Sequence, residues 1–342
     1  MTDKKMNVTY VKDMDSLIRG NVIENNVFMN FNGLKVSFEL MEKQEYKNVT
    51  AIPIKTDKFA KKDFITVKKG YEMGLVEIKE LEKTTVKTVD CKNYAVVPLL
   101  LIEGDEITGA MQNRIINDSM LIPAKSKKKI SVSCTEHGRW RSEGTNLFAP
   151  SEYSLNSHTR ERKRSAVLEN RDYQSEVWNS ISDLEMSHDF CSNTSALHDT
   201  YDNSKSLQDN YLEHFNIEEG QNGVIFFING EFKGIELFYN HSIYKEYHEK
   251  TFRSYIIDAL VNEDKEFEKT DGDELTKKII GIFENISSSK FKKYETVGLG
   301  ENIKFNNEIG TGAGLIFEEE LIHMSYSKSE DIIKDKDYGI IL

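Results

Sequence analysis

The sequence predicts an α+β fold with a largely antiparallel β-sheet core and several packed helices in its second half. Two observations support this class. The first 140 residues alternate apolar and polar side chains in short runs separated by tight turns, which is typical of half-buried strands. Helical spacing appears only later, and the chain returns to strand-like runs near its end. This order differs from the regular strand–helix alternation of a parallel doubly wound fold.

The first half of the chain supplies most of the predicted strands. Residues 26–40 read NVFMNFNGLKVSFEL, an alternating pattern around Asn-Gly, which is a strong hairpin signal. The runs VTAIPI, FITVKKGYEMGLVEIKEL and TTVKTVDCKNYAVVPLLLIEGDEITGA continue the alternation, with glycine or asparagine at the breaks. Residues 143–156 are rich in serine, glycine and asparagine and are predicted to form a loop.

The second half supplies the predicted helices. Helical spacing indicates helices at about 159–169 and 173–186. Segment 187–210 is polar and suits a mobile insert, with a partial helix continuing through DNYLEHF. A hairpin at 222–240 precedes an amphipathic helix, a lysine-rich helix DELTKKIIGIFENIS, and two final strand runs. We therefore predict a polar extension at 1–25, one domain at 26–330 and a tail at 331–342.

Composition excludes several classes of function. A net charge of −12 argues against general binding to nucleic acid or to an anionic membrane, because both favour basic surfaces. No run approaches eighteen apolar residues, and the N-terminus lacks the apolar core of a secretion signal. Three widely spaced cysteines do not predict a disulfide framework or a four-thiolate zinc site. A cytoplasmic location is expected.

Arginine is concentrated in one part of the chain. Seven of the nine arginines lie between residues 114 and 171, and residues 125–171 carry a local charge of +6. Arginine binds carboxylate or phosphate through a planar fork, which lysine does not have. The clustering predicts either an anionic ligand or an internal network of ion pairs. An acidic remainder of the surface is compatible with a protein partner.

The stretch 112–117 holds the most unusual group of polar side chains. Gln112, Asn113, Arg114 and Asn117 place three amides and a guanidinium within six residues. Such groups could recognise a ribose, a phosphate or an amide-bearing base by directed hydrogen bonds. Alternatively, they cap strand ends and satisfy buried backbone groups. This stretch and the stretch 136–140 are predicted to lie on facing strands.

Carboxylates near this stretch are candidates for acid–base chemistry. Glu103 and Glu106 flank a turn at Gly104, and Glu136 alternates with Cys134 along a strand-like run. The alternative for the turn is ordinary solvated polarity, which we favour for Asp105. Cys134 is interpreted as a small buried hydrophobe, because a free cysteine in a β run is usually one.

Two further pairs are candidates for ligand binding. Arg139 could hold a phosphate while Trp140 stacks on a base or sugar, or the two could simply seal the core. Gln174 and Trp178 lie on one helical face and could complete a pocket or dock the helix.

A buried Glu236 would need an arginine partner. No histidine spacing matches a metal motif, so no metal site is predicted.

Several segments resemble the ARPP-1 family. They are EGDEITGAMQNRIIN, LIPAKSKKKISVSCTEHGRW, QSEVW, GVIFFINGEFKGIELF with SYIIDAL, and GTGAGLIFEEELIHMS. The resemblance spans roughly residues 50–326 and therefore covers a whole domain. This family is named for association with ADP-ribosylglycohydrolases and with rhodanese and phosphatase superfamily proteins. The resemblance implies a link to NAD and ADP-ribose metabolism.

Together these observations favour a protein that binds an ADP-ribose-like or NAD-like phosphorylated nucleotide. Arg114 and Arg139 would bind the anionic groups of the ligand. Gln112 and Asn113 would form hydrogen bonds with its polar edges, and Trp140 would stack on its base or sugar. Hydrolysis of the ligand would use Glu103 or Glu136. The alternative is a non-catalytic regulatory or protein-interaction module in which the same polar residues are structural. The sequence names no cofactor and does not decide whether the protein is an enzyme.

Overall fold

Alternating apolar residues build three β-structures that meet around one charged helix. The computed structural model describes residues 26–31, 34–56, 62–83, 85–142, 144–261, 263, 265–267 and 272–329. The predicted extension at 1–25 and tail at 331–342 lie outside this part of the chain. The observed mixture of helices and largely antiparallel strands confirms the predicted α+β class.

The strands are β1 Asn26–Phe31, β2 Leu34–Leu40, β3 Gln44–Tyr46, β4 Val49–Thr56, β5 Ile65–Thr66, β6 Val76–Lys79, β7 Thr88–Asn93, β8 Leu99–Leu101, β9 Asp105–Gly109, β10 Arg114–Ile116, β11 Met120–Ile122, β12 Ser126–Cys134, β13 Leu147–Ser154, β14 Gly223–Ile228, β15 Glu231–Phe238, β16 Lys290–Tyr294, β17 Glu301–Asn306, β18 Gly310–Phe317 and β19 Glu320–Lys328. The helices are α1 Val67–Glu72, α2 Ser157–Leu168, α3 Tyr173–Ser187, α4 Leu197–Asn203, α5 Lys205–Leu212, α6 His241–Leu260 and α7 Gly272–Ser287.

The largest sheet has the strand order β1–β2–β4–β14–β15–β19–β18–β17–β16, with β3 paired to β4. One of its faces packs on α7, where Phe283 meets Phe38 with ring centroids 4.9 Å apart. The opposite face packs on α6, where Tyr255 stacks on Phe226 at 4.0 Å. The predicted hairpin at 222–240 is confirmed, with Asn229 and Gly230 at positive φ in its turn.

A closed barrel is formed in the order β10–β12–β7–β6–β13–β9. Its interior is filled by aliphatic side chains such as Ile78, Ile107 and Val132. A short sheet of β11, β8 and β5 joins the barrel core to the core of the large sheet, because Leu101 packs in the first and Leu100 in the second.

The prediction of a loop at 143–156 is wrong, because β13 lies within it and closes the barrel. Of this strand only Phe148 enters the barrel core, so the segment lacks the apolar alternation of a typical strand. Pro150 is tolerated there because the register shifts between Pro150 and Ser154.

Helix α2 lies between the barrel and the large sheet, and the predicted helices at 159–169 and 173–186 correspond to α2 and α3. Its buried residues include Arg160, Lys163 and Arg164, which is unusual for a helix so enclosed. The predicted polar insert at 187–210 contains α4 and most of α5, and Tyr201 of α4 is fully buried. In the described ranges no helix has the length and apolar character needed to cross a membrane.

Candidate functional site

Five of the ten predicted site residues gather around one end of the barrel: Gln112, Asn113, Arg114, Glu136 and Arg139. Together with Glu80 and Cys134 they form what is called here the barrel mouth. Glu103 and Asn117 lie instead where α2 meets the barrel, with Lys163 between them. A single pocket that joins all predicted residues is therefore not formed by the described part of the chain.

Strand pairing explains why the barrel mouth forms. Arg114 lies opposite Cys134 in the antiparallel register of β10 and β12. Side chains alternate along a strand, and Ile116 and Val132 face the barrel core, so Arg114 and Cys134 also turn inward. Glu80 follows β6, on the same face as Ile78, and meets Arg114 across the end of the barrel.

The prediction that 112–117 and 136–140 lie on facing strands is wrong. Only Arg114–Ile116 of the first stretch forms a strand, and 136–140 follows the end of β12. The partner of β10 is β12, which ends at Cys134. The flanking residues form turns, whose backbone groups take hydrogen bonds from the polar side chains.

Arg114 is the most enclosed member of the barrel mouth, with a fully buried side chain. Its Nη1 donates to Gln112 Oε1 at 2.9 Å, and its Nη2 lies 3.6 Å from Glu80 Oε1. Neither Nε nor Nη2 has an acceptor at normal hydrogen-bond geometry among the described residues. Burial lowers the pKa of Arg114, while the Cys134 thiol and the Glu80 carboxyl oppose that shift.

Glu80 is the partner that the sequence did not reveal. Its side chain is buried, and neither carboxylate oxygen has a hydrogen bond of normal geometry within the described ranges. Burial raises the pKa of Glu80, against the effects of Arg114 and the Met111 backbone N–H. The signal was available in VEIKE, where Glu80 continues the inward face of Val76 and Ile78.

Glu136 and Arg139 form a complete ion pair beside Arg114. The Glu136 carboxylate accepts from Arg139 Nε and Nη2, each at 2.7 Å, from Thr194 Oγ1 and from the Asn113 backbone N–H. A carboxylate has about four acceptor positions, so these donors fill it. Arg139 also donates to the Ala110 carbonyl at 3.0 Å and thereby holds the turn before β10.

Gln174 docks helix α3 on the end of β12. Its Oε1 accepts from the Cys134 N–H at 2.8 Å, and its Nε2 donates to the Cys134 carbonyl at 3.0 Å. This side chain replaces the backbone partner that a neighbouring strand would supply. Trp178 interacts with the Cys134 thiol and packs on His137 at 4.4 Å. Trp140 differs from these residues because its side chain is 52% exposed.

The Cys134 thiol is buried in the barrel mouth, and burial raises its pKa. A thiol with a raised pKa is a poor nucleophile at neutral pH. The interpretation of Cys134 as a buried core residue agrees with this placement.

The second group joins α2 to the barrel and the large sheet. Glu103 accepts from Arg164 Nε at 3.1 Å and Nη2 at 2.9 Å, and Lys163 Nζ lies at 3.0 Å. Burial would raise the pKa of Glu103, but the two cations outweigh it and hold the pKa well below its usual range. Asn117 bonds Ser131 and Ser133, and its carbonyl accepts from Lys163.

Glu236 has the arginine partner that burial required. Arg160 Nη1 lies 2.7 Å from Glu236 Oε1, which also accepts from the Tyr255 and Ser325 hydroxyls at 2.9 Å. His323 Nε2 is 3.9 Å from the other oxygen, and burial lowers the pKa of His323 to about 3. With Arg162 and Arg171 also paired to Glu176, the arginine-rich region is chiefly an internal network of ion pairs.

A small open cleft lies between β9, α1 and α6. Asp105 is buried in its lining, with Lys250 Nζ 3.4 Å from Oδ1. Burial raises the pKa of Asp105 although Lys250 and Tyr247 oppose the shift. The sequence interpretation of Asp105 as ordinary turn polarity missed this, because its partners are more than 140 positions away.

A histidine lies between two carboxylates near the cleft. His198 Nδ1 is 2.8 Å from Glu106 and its Nε2 is 3.5 Å from Asp202. Burial would lower the pKa of His198, but the hydrogen bond to Glu106 and the surrounding carboxylates raise it. Across the described ranges, no three histidine, cysteine or acidic side chains are grouped as metal ligands.

The fold and the barrel mouth define an α+β protein in which a closed barrel, with a buried arginine–glutamate pair at one end, is fixed to a large antiparallel sheet. The chain belongs to the ARPP-1 family, described as the ARG and Rhodanese-Phosphatase-superfamily-associated Protein domain, whose model matches residues 37–327. No curated protein and no solved structure matches the chain.

Proposed function

We propose that this chain binds a phosphorylated nucleotide of the ADP-ribose or NAD class at the barrel mouth. The observation that carries this proposal is the buried Arg114 guanidinium, whose Nε and Nη2 have no hydrogen bond of normal geometry among the described residues, beside the buried Glu80 carboxylate 3.6 Å from Nη2. Buried polar groups are nearly always hydrogen-bonded in folded proteins, so such a set needs an explanation. A polar ligand edge would satisfy both residues. The nucleotide class is chosen because the family name implies association with ADP-ribose-related systems.

The surrounding residues have distinct parts in this proposal. Gln112 fixes Arg114 through Nη1, while the Glu136–Arg139 pair and Asn113 shape the turns. Trp140 and Arg141 are exposed next to these turns and would meet the base and phosphates outside the barrel. Because Arg114 is fully buried, entry requires the turns to move, and we expect association slower than diffusion.

Ligand-induced stabilisation tests the proposal directly. A ligand present at a hundred times its Kd should raise stability by about 2.7 kcal/mol, which is visible as a higher Tm. We expect ADP-ribose or NAD to raise the Tm of the wild type and of Lys250→Ala, a control in the cleft. Arg114→Lys keeps the charge but loses the fork, and should remove the rise.

Each other outcome contradicts the proposal. No rise in wild-type Tm with either nucleotide would refute binding. If the ligand-induced rise in Tm is lost in Lys250→Ala and kept in Arg114→Lys, the ligand binds in the cleft and not at the barrel mouth. Circular dichroism of both variants establishes that each is folded.

Hydrolysis is a separate step of the proposal, with Glu103 or Glu136 as the acid–base group predicted from the sequence. Chromatography after incubation with NAD, ADP-ribose and an ADP-ribosylated peptide tests it, and unchanged substrates would exclude it. Glu103 is held ionised by two cations and Glu136 is filled by four donors, so binding without hydrolysis is our expectation. A cytoplasmic location accompanies this proposal and is testable by cell fractionation.

A second candidate function is a non-catalytic regulatory or protein-interaction module. The observation that favours it is that the arginines of α2 and of the barrel mouth face carboxylates within the protein. In that case no nucleotide changes the Tm, and replacing Arg114 by methionine together with Glu80→Leu leaves the fold and its stability nearly unchanged.

A further inference from the structure

We infer that the barrel mouth recognises a planar primary carboxamide, the group carried by a nicotinamide ring, through Arg114 and Glu80. This inference deepens the nucleotide-binding proposal and rests on it. It assigns the amide-bearing end of the ligand to the barrel and leaves the phosphates outside.

The barrel mouth contains both donors and acceptors that have no hydrogen bond of normal geometry among the described residues. Arg114 Nε and Nη2 have no hydrogen bond of normal geometry within the described part of the chain, and these two nitrogens lie on one edge of the planar guanidinium. Nη1 donates to Gln112 Oε1 and to the Asn113 carbonyl. Glu80 lies beside that edge, with Oε1 at 3.6 Å from Nη2, and offers acceptors only. The mouth therefore presents donors and an acceptor side by side.

A primary carboxamide has the complementary arrangement. Its carbonyl oxygen can accept two N–H groups, and its NH₂ can donate to a carboxylate, while both are attached to one carbon. Arg114 Nε and Nη2 would bind the oxygen, and Glu80 would bind the NH₂. A phosphate or a carboxylate offers acceptors alone and would be repelled by an ionised Glu80.

Charge and burial favour the same ligand. The Arg114–Glu80 pair is neutral as a whole, and both side chains are buried. The carboxamide group itself is uncharged and can enter such a site with its polar atoms satisfied, whereas a carboxylate in its place would carry a large desolvation cost. The adjacent Cys134 thiol adds a soft, polarisable wall suited to an aromatic ring.

Four probes separate this inference from the broader proposal: NAD, ADP-ribose, nicotinamide and nicotinic acid. Isothermal titration calorimetry of the full chain should give a lower Kd for NAD than for ADP-ribose. Nicotinamide should bind at least tenfold more tightly than nicotinic acid, which has the same shape but a carboxylate in place of the amide. Tenfold corresponds to about 1.4 kcal/mol.

Glu80→Gln tests the assigned residue, because a glutamine amide can donate to a carboxylate. This variant should lower the preference for nicotinamide over nicotinic acid at least fivefold. Glu77→Gln is the matched control, since Glu77 lies on β6 but faces outward and pairs with Lys92. It should keep the wild-type preference.

The outcomes distinguish the two proposals. Equal binding of NAD and ADP-ribose, together with no preference for nicotinamide, overturns the carboxamide inference and leaves nucleotide binding intact. Absence of binding by all four probes overturns nucleotide binding itself. An equal change in Glu77→Gln and Glu80→Gln overturns the assignment to the barrel mouth.

Discussion

Two buried arginine–glutamate pairs in this protein use the same side chains with different completeness. Glu103 accepts three hydrogen bonds from Arg164, with Lys163 at 3.0 Å. Glu80 and Arg114 approach only to 3.6 Å and leave buried polar atoms unbonded. Burial and pairing therefore do not by themselves define a structural ion pair, because the number of satisfied hydrogen-bonding groups distinguishes Glu103–Arg164 from Glu80–Arg114.

Their surroundings explain the difference. Arg164 lies on α2, where the barrel and the large sheet both supply acceptors, including the Thr311 carbonyl and Ser327. Arg114 lies at the end of the barrel, where its partners are the Gln112 side chain, the Asn113 carbonyl, the Cys134 thiol and the Glu80 carboxylate. The first pair holds two layers together, and the second leaves donors and acceptors for a further group.

The largest expected effect on the free energy of unfolding comes from replacing Glu103. Glu103→Gln keeps the shape of the side chain but leaves the buried cations Lys163 and Arg164 without their carboxylate. Breaking a buried pair in this way costs about 3–5 kcal/mol, measurable by urea denaturation. A loss below about 1 kcal/mol would show that the α2 interface is not held by this pair.

Glu176→Gln provides the matched control. Glu176 pairs with Arg162 and Arg171, but its side chain is partly exposed to solvent. Pairs of that kind contribute about 0–1 kcal/mol. The difference between the two variants therefore measures what enclosure of the pair adds.

A second expected effect is sensitivity of the α2 interface to acid. Burial lowers the pKa of His323 to about 3, so the folded state keeps a neutral imidazole while the unfolded chain takes up a proton below about 6.5. The stability that depends on neutral His323 is complete above about pH 6.5 and is lost as the pH falls toward 3. The expected slope is about 1 kcal/mol per pH unit.

His323→Gln should flatten this part of the stability profile while retaining a partner for Ser119. Chemical denaturation at several pH values between 7 and 4 measures the slope. An unchanged slope in the variant would mean that another group controls the acid sensitivity of the interface.

Local patterns were sufficient for the fold class, the main hairpin and helices α2, α3 and α6, because each depends on spacing within a short segment. The same patterns missed β13, since that strand is set by its neighbours in the barrel and only Phe148 packs in the barrel core. A barrel closes through pairings between distant segments, and composition does not record them.

The candidate site was likewise predictable only in part: local residue types indicated its polar group, but contacts between distant segments were not predicted. The group Gln112, Asn113, Arg114 and Arg139 was predicted from residue types alone, and the structure brings these side chains together. Glu80 was not identified, because its contact with Arg114 joins residues 34 positions apart through barrel pairing. The separation of Glu103 from this group also depends on α2 crossing between the layers.

The smallest expected effect concerns Glu80 and has the opposite sign to that of Glu103. Because burial raises the pKa of Glu80, the ionised carboxylate disfavours the folded state at neutral pH, and that penalty disappears as the pH falls through the raised pKa to the unfolded value near 4.5. Glu80→Gln resembles the protonated acid and should raise the free energy of unfolding by about 1 kcal/mol at pH 7, the lower range for an unsatisfied buried group. The gain should vanish below about pH 4.5, as urea denaturation at both pH values would show. A destabilised Glu80→Gln would place Glu80 with Glu103 among the structural pairs, whereas a stabilised variant with altered ligand preference would mark it as a residue kept for binding at a cost in stability.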